Sequence, residues 1–194
     1  MNVEDLTKAE EIVKAVFSEL PSYDVIVPAL LDGWETLRER CKLTPGVPLK
    51  PMLAKPTKSI SEVLDRFEGR QFSCEYKYDG ERAQIHYIPD KSAKGGATVK
   101  IYSRNSEDMS KRYPDIVEQI PKAIEPDSRA KGGFVLDCEC VAWDAKEERL
   151  LPFQVLSTRK RKDVQLAEVT VKVILFSFDI LYLDGEVHVF LDNI

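Results

Sequence analysis

The stretch Phe72–Tyr87, FSCEYKYDGERAQIHY, decides how the chain is to be read. It alternates on both sides of Asp79-Gly80, and Asp-Gly between alternating segments favours a tight hairpin, because glycine tolerates positive φ. The pattern predicts two short strands. Side chains alternate between the faces of a strand, so Phe72, Cys74, Tyr76 and Tyr78 share one face, expected to be core. Glu75, Lys77 and Asp79 share the other. On the return strand Ala83, Ile85 and Tyr87 fall on one side, and Arg82, Gln84 and His86 on the other. A lysine then sits among a carboxylate, an arginine and an amide, which is either a solvated sheet face or a site.

The literal string narrows the choice. Lys77-Tyr78-Asp79-Gly80 resembles the K-x-D-G nucleotide-attachment motif of the covalent nucleotidyltransferases, and the longer run CEYKYDGERAQIH resembles the ATP-dependent DNA ligases of the eukaryotic replicative type. Further segments resemble ligase motifs in the family's order. Pro51-Met52-Leu53-Ala54 resembles the segment that opens the nucleotidyltransferase domain near the adenine pocket. KIYSRN, ending in Arg104-Asn105, is similar to motif III, Asp137-Cys138-Glu139 to motif IV, and FSFDILYLDG, containing Phe178, to motif IIIa.

The resemblance implies a chemistry. Lys77 would attack the α-phosphorus of ATP and hold AMP. A protonated lysine is a poor nucleophile, so such a site needs desolvation or nearby cationic charge. Glu75 would accept the adenine amino proton, Asp79 would hold the ribose or the turn, and Gly80 would let the backbone approach the nucleotide. Arg82 and Arg104 would bind ribose or phosphate through their forked donors. Phe178 would stack on adenine. Glu139 would hold Mg²⁺, an oxygen-seeking ion. On position alone, Arg104 is equally an exposed charge at a strand end, and Phe178 equally a core residue. Two carboxylates two apart on a strand, Asp137 and Glu139, repel unless a cation or basic group lies beside them. Asp137 is assigned no nucleotide role.

Composition sets the bounds. The 194 residues are 43% hydrophobic and 31% charged, which suits a globular fold with a sizeable core. A net charge of −5 excludes a chain that is basic throughout, so any DNA contact must come from a local cluster. The four cysteines, Cys41, Cys74, Cys138 and Cys140, lack zinc spacing and are expected to be reduced, hence intracellular. No long apolar span or signal peptide is evident, so no membrane partner is expected.

In chain order, residues 3–20 have helical apolar spacing, and residues 23–41 predict two short helices. The proline-rich stretch 43–57 is expected to be a stiff connector at a domain junction, with an SH3-ligand reading of its P-x-x-P as the rival. Ser59–Phe67 predicts a helix with a Ser59/Glu62 capping box and an apolar face of Ile60, Val63, Leu64 and Phe67. Strands are expected over Thr98–Ser103 and Phe134–Asp144, a helix over Pro114–Ala123, and a strand buried on both faces over Val171–Leu183. A further strand is expected from Glu186 to Phe190. The basic run Arg159-Lys160-Arg161-Lys162 is open to three readings: solvated charge, a nuclear-localisation signal, or phosphate contact with DNA.

The expected fold is α+β: an antiparallel-sheet, ATP-grasp-like nucleotidyltransferase domain, incomplete, over residues 49–194, preceded over 1–48 by an all-α segment from a DNA-binding domain. The OB-fold domain of the family, and its later K-x-K motif, are expected to be absent, leaving this stretch inactive or partly active alone. By the resemblance the substrates are ATP with Mg²⁺ and nicked double-stranded DNA, with a sliding clamp as a partner of the full-length protein. The location implied is the nucleus, with the mitochondrion as a second. RNA ligase, mRNA capping enzyme and a catalytically inactive fragment are the alternatives.

Overall fold

The computed structural model describes residues 3–93, 95–124, 132–160 and 163–188. Arg161 and Lys162 of the basic run, and Val189 and Phe190 of the last expected strand, lie outside the described residues. Four helices come first: α1 (Val3–Glu19), α2 (Tyr23–Leu31), the short α3 (Leu37–Arg40) and, after a long extended segment, α4 (Ile60–Arg66). Then follow β1 (Glu81–Pro89), β2 (Ala97–Ser103), α5 (Pro114–Ala123), β3 (Phe134–Asp144), β4 (Arg149–Leu150), α6 (Phe153–Ser157), β5 (Lys172–Leu183) and β6 (Glu186–Val187). The strands form one antiparallel sheet in the order β2-β1-β3-β5-β6, with β4 hanging from β3. The expected mixture of an all-helical start and an antiparallel sheet is therefore what the chain adopts.

The helical start closes on itself. Val16 and Leu20, Ile26 and Ala29, and Leu37 and Cys41 form a small core of their own. α2 runs through Pro28 and stops before Gly33, whose φ of +121° only glycine adopts without strain.

The sheet is covered on both faces, which is why β1 and β3 are buried throughout their centres. On one face Ala83, Ile85, Val99, Ile101, Cys138, Cys140 and Ala142 pack with Tyr113, Ile116 of α5 and Leu156 of α6. The other face carries Arg82, Gln84 and His86 opposite Glu139, Asp137 and Val135. This face is not wet. Gln84 and His86 are 2% and 0% exposed, because the proline-rich segment 43–50 lies across them as a strap. The Gln84 side chain accepts from Leu49 N–H (3.0 Å) and donates to Leu49 O (2.7 Å). His86 Nδ1 accepts from Gly46 N–H (3.0 Å), and the Tyr102 hydroxyl donates to Gly46 O (2.6 Å). Leu43 and Leu49 fill the space beside Val135 and Leu181. The stretch expected to be a connector is thus part of the second layer.

Three expectations fail here. The hairpin over Phe72–Tyr87 is only half present: β1 begins at Glu81, and residues 71–79 belong to no strand. β1 already has β2 on one edge and β3 on the other, so no edge is left for a hairpin partner. Phe72, Cys74 and Tyr76, expected in the core, are consequently exposed. β5 is not buried on both faces, since only Leu181 along it is fully buried, and just the two-residue β6 lies beyond it. The apolar face of α4 exists, but Ile60, Leu64 and Phe67 are exposed on it. Its N-terminus is as expected: Ser59 Oγ accepts from Glu62 N–H (3.2 Å), while the Glu62 carboxylate reaches Lys58 N–H (3.3 Å) instead of Ser59.

Candidate active site

The unpaired segment 71–79 forms one wall of an open cleft of about 810 Å³. Glu75 and Lys77 line it from this segment, Gly80 from just before β1, Arg82 from β1, Arg104 from just after β2, Glu139 from β3 and Phe178 from β5. Seven of the eight residues singled out in sequence therefore meet in one place. The eighth, Asp79, is exposed and does not line the cleft. Leu53 and Ala54, from the strap's continuation, close another side, together with Tyr76, Tyr78, Asn105 and Phe153.

Lys77 is held at its flanks. The Tyr78 ring lies on Phe176 of β5 with centroids 3.7 Å apart and planes 10° from parallel. Gly80 N–H donates to Glu139 Oε1 (3.1 Å). A Cβ on Gly80 would stand 2.2 Å from the carbonyl oxygen of Cys140. Glycine is therefore required by the close approach of β3, and not by positive φ, since Gly80 has none.

The carboxylates divide their work. Asp137, 3% exposed, takes a two-pronged ion pair from Arg82: Nε to Oδ1 at 3.0 Å and Nη2 to Oδ2 at 2.6 Å. Arg82 Nη1 donates to Met52 O (3.0 Å), and its guanidinium lies 5.6 Å from the Phe178 ring centroid. Arg82 thus stitches strap, β1 and β3 together and directs its donors inward, and Asp137 raises its pKa chiefly through that hydrogen bond. Glu139 is different. Burial pushes its carboxyl up, opposed by the Gly80 N–H and by the charges of Lys77 and Arg82. The repulsion between the two carboxylates is relieved because Arg82 and Lys77 lie beside them.

Phe178 is 41% exposed on the cleft wall, so its reading as core is set aside. No hydrogen bond or ion pair within the chain engages the Arg104 side chain among the described residues. Arg159, from the basic run, is neither solvated nor free for phosphate: it is 5% exposed and paired with Asp115. Lys160 is exposed and paired with Glu168 (2.9 Å).

Sequence reasoning missed Glu81, Arg112 and Tyr113. Glu81 lines the cleft and accepts from Arg112 Nη1 (2.8 Å) and from the Tyr113 hydroxyl (2.5 Å). The partners are more than thirty positions apart, so no local pattern announces them.

A family model described as "ATP dependent DNA ligase domain" matches residues 51–192, the whole span of the cleft. The chain belongs to the ATP-dependent DNA ligase family. It is 54% identical over 187 residues to DNA ligase 1 of Schizosaccharomyces pombe, covering 96% of this chain and 23% of that one. DNA ligase 1 of Saccharomyces cerevisiae is 51% identical over 182 residues, and that of Arabidopsis thaliana 49% over 183. The chain spans 23%, 23% and 22% of the length of these three ligases. Among solved structures, the ligase domain of Mycobacterium tuberculosis LigD is 26% identical, with a TM-score of 0.39, over 58% of this chain and 30% of that one.

Among the described residues no three metal-binding side chains cluster. Mg²⁺ keeps several waters and is commonly held by one or two carboxylates together with substrate phosphates. Glu139 is the carboxylate that fits, since both oxygens of Asp137 are taken by Arg82.

Proposed function

We propose that this chain carries the nucleotide-attachment site of a DNA ligase, and that Lys77 is its nucleophile. The amine of Lys77 forms a bond to the α-phosphorus of ATP. The bond between that phosphorus and the bridging oxygen breaks, pyrophosphate leaves with the electron pair, and the amine proton passes to solvent. An oxygen of the 5′-phosphate at a DNA nick then attacks the AMP phosphorus, the phosphorus–nitrogen bond breaks and the Lys77 amine takes a proton from solvent. The 3′-hydroxyl attacks the 5′-phosphorus, loses its proton to solvent, and AMP leaves with the electron pair. The observation that carries this reading is one cleft where Lys77 meets Glu75, Arg104, Glu139 and Phe178, each delivered by a different part of the chain.

Phe178 offers an exposed ring on which adenine stacks, and Glu75 an acceptor for its amino group. Arg104, with its guanidinium uncommitted, is the phosphate ligand, and Arg82 is a positioning residue that fixes the cleft floor. Glu139 would hold Mg²⁺, which would neutralise charge on the phosphates. All three relatives named above are DNA ligases, so the RNA-ligase and capping-enzyme alternatives are not favoured. Labelled ATP against labelled GTP tests this choice: the adduct forms with ATP, and a preference for GTP would overturn the reading.

A further inference from the structure

The position of Lys77 depends on few contacts. Because residues 71–79 are in no strand, no ladder of backbone hydrogen bonds fixes them. Tyr78 rests on Phe176, Gly80 N–H on Glu139, and immediately afterwards Glu81 is gripped by two groups from the turn before α5. We propose that Arg112 and Tyr113, acting through Glu81, are positioning residues that hold the Lys77 segment against the cleft, and so set the rate at which Lys77 attacks. The proposal rests on the function given above for Lys77.

The grip is itself anchored. Tyr113 is 0% exposed. The guanidinium of Arg112 lies 5.3 Å from its ring centroid and that of Arg159 4.7 Å. Arg159 donates to the carbonyls of Arg112 and Val171, each at 3.1 Å, and pairs with Asp115 in the first turn of α5. A line of contacts thus runs from the start of β5 and α5 through two arginines and a tyrosine to the residue after Gly80. This gives Arg159 a role that its place in a basic run hid. Burial keeps the Tyr113 phenol protonated far beyond neutral pH, so it remains a donor to the Glu81 carboxylate. Arg112 Nε is buried without a partner. A buried charge left partly unsatisfied is a poor way to gain stability alone, and it is consistent with a pair retained for the position it imposes.

Tyr113→Phe keeps the ring between the two guanidinium groups and removes only the hydroxyl. Arg112→Met removes the ionic partner. Each is made in this chain and read in two ways. By NMR hydrogen exchange, protection of the Gly80 amide falls about tenfold, while the central-strand amides of Ile85 and Leu136 change less than twofold. In the adenylation assay the first-order rate constant for adduct formation at saturating ATP falls about tenfold, with the ATP concentration for half-maximal rate within twofold of the unaltered chain. Unchanged Gly80 protection, or an equal loss at Ile85 and Leu136, overturns the proposal, because the network would then be idle or merely structural. If no adduct forms either in this chain or in this chain joined to the remaining length of the S. pombe relative, that counts against the function proposed for Lys77, and Gly80 exchange still decides the positioning role.

Discussion

Arg82 and Arg104 carry the same guanidinium into the same cleft, and their surroundings give them different work. Arg82 is bound to Asp137 and to Met52 O. Breaking such a pair leaves a charge without its partner, so Asp137→Asn is expected to cost about 2 kcal/mol in a denaturant melt. This is less than the ~3–5 kcal/mol of a fully buried pair, because the Arg82 side chain is 25% exposed. Arg104→Ala should change stability by under ~0.5 kcal/mol, as at ordinary surface sites, while raising the KM for ATP about tenfold. His86 gives a pH signature. Burial lowers its pKa from 6.5 to about 4, so between those values the unfolded chain binds a proton that the folded chain refuses. Its contribution to stability is whole above pH 6.5 and is lost as pH falls toward 4. The loss amounts to about 3 kcal/mol at most, and it should flatten in His86→Gln when melts are followed across that range. The residues that meet in the cleft were legible because they stand in a long, specific string and in separated motifs. What the string could not show was which of its arginines was already engaged, since Asp137 lies fifty-five positions away.

The strap over residues 43–50 is the element on which the site leans most. Gln84 holds it by two hydrogen bonds to Leu49, and Met52, just beyond, supplies the carbonyl that Arg82 grasps. Gln84→Leu leaves the Leu49 N–H and C=O unpaired in a buried place, and a loss of about 2–3 kcal/mol is expected. Because the strap leads into Leu53 and Ala54 on the cleft wall, ATP affinity should fall with it, read by calorimetry. Gly80→Ala forces a Cβ against the Cys140 carbonyl, and should cost about 3 kcal/mol by overpacking. Helices were readable from periodicity, since α1 turns Ile12, Val13, Val16 and Phe17, and α5 turns Ile116, Val117 and Ile120, toward the cores; β2 was readable from its near-alternation of buried and half-buried residues. The strap was not, because its prolines signal stiffness but not where it lies. The Lys77 segment was misread for a related reason: local alternation predicts a strand, but pairing needs a free edge, which is a property of the whole sheet.

Across the whole molecule, apolar surface remains open on one side. Ile60 and Leu64 of α4, Phe67 just after it, and Phe72 against Phe67 with ring centroids 5.2 Å apart are all exposed, and contiguous apolar surface promotes association. Light scattering should therefore rise with concentration, and fall in a variant carrying Ile60→Lys and Leu64→Glu. None of these four side chains lines the cleft, which depends on a sheet that both layers hold in place. The central claim is that its lysine takes up AMP. The direct measurement is intact-mass and peptide mass spectrometry after incubation with ATP and Mg²⁺. It is made on this chain alone, and on this chain joined to the remaining length of the S. pombe relative. The expected result is a gain of one AMP, mapped to Lys77 and abolished by Lys77→Ala. An adduct that persists in Lys77→Ala, maps to another residue, or fails to form in both proteins would contradict it.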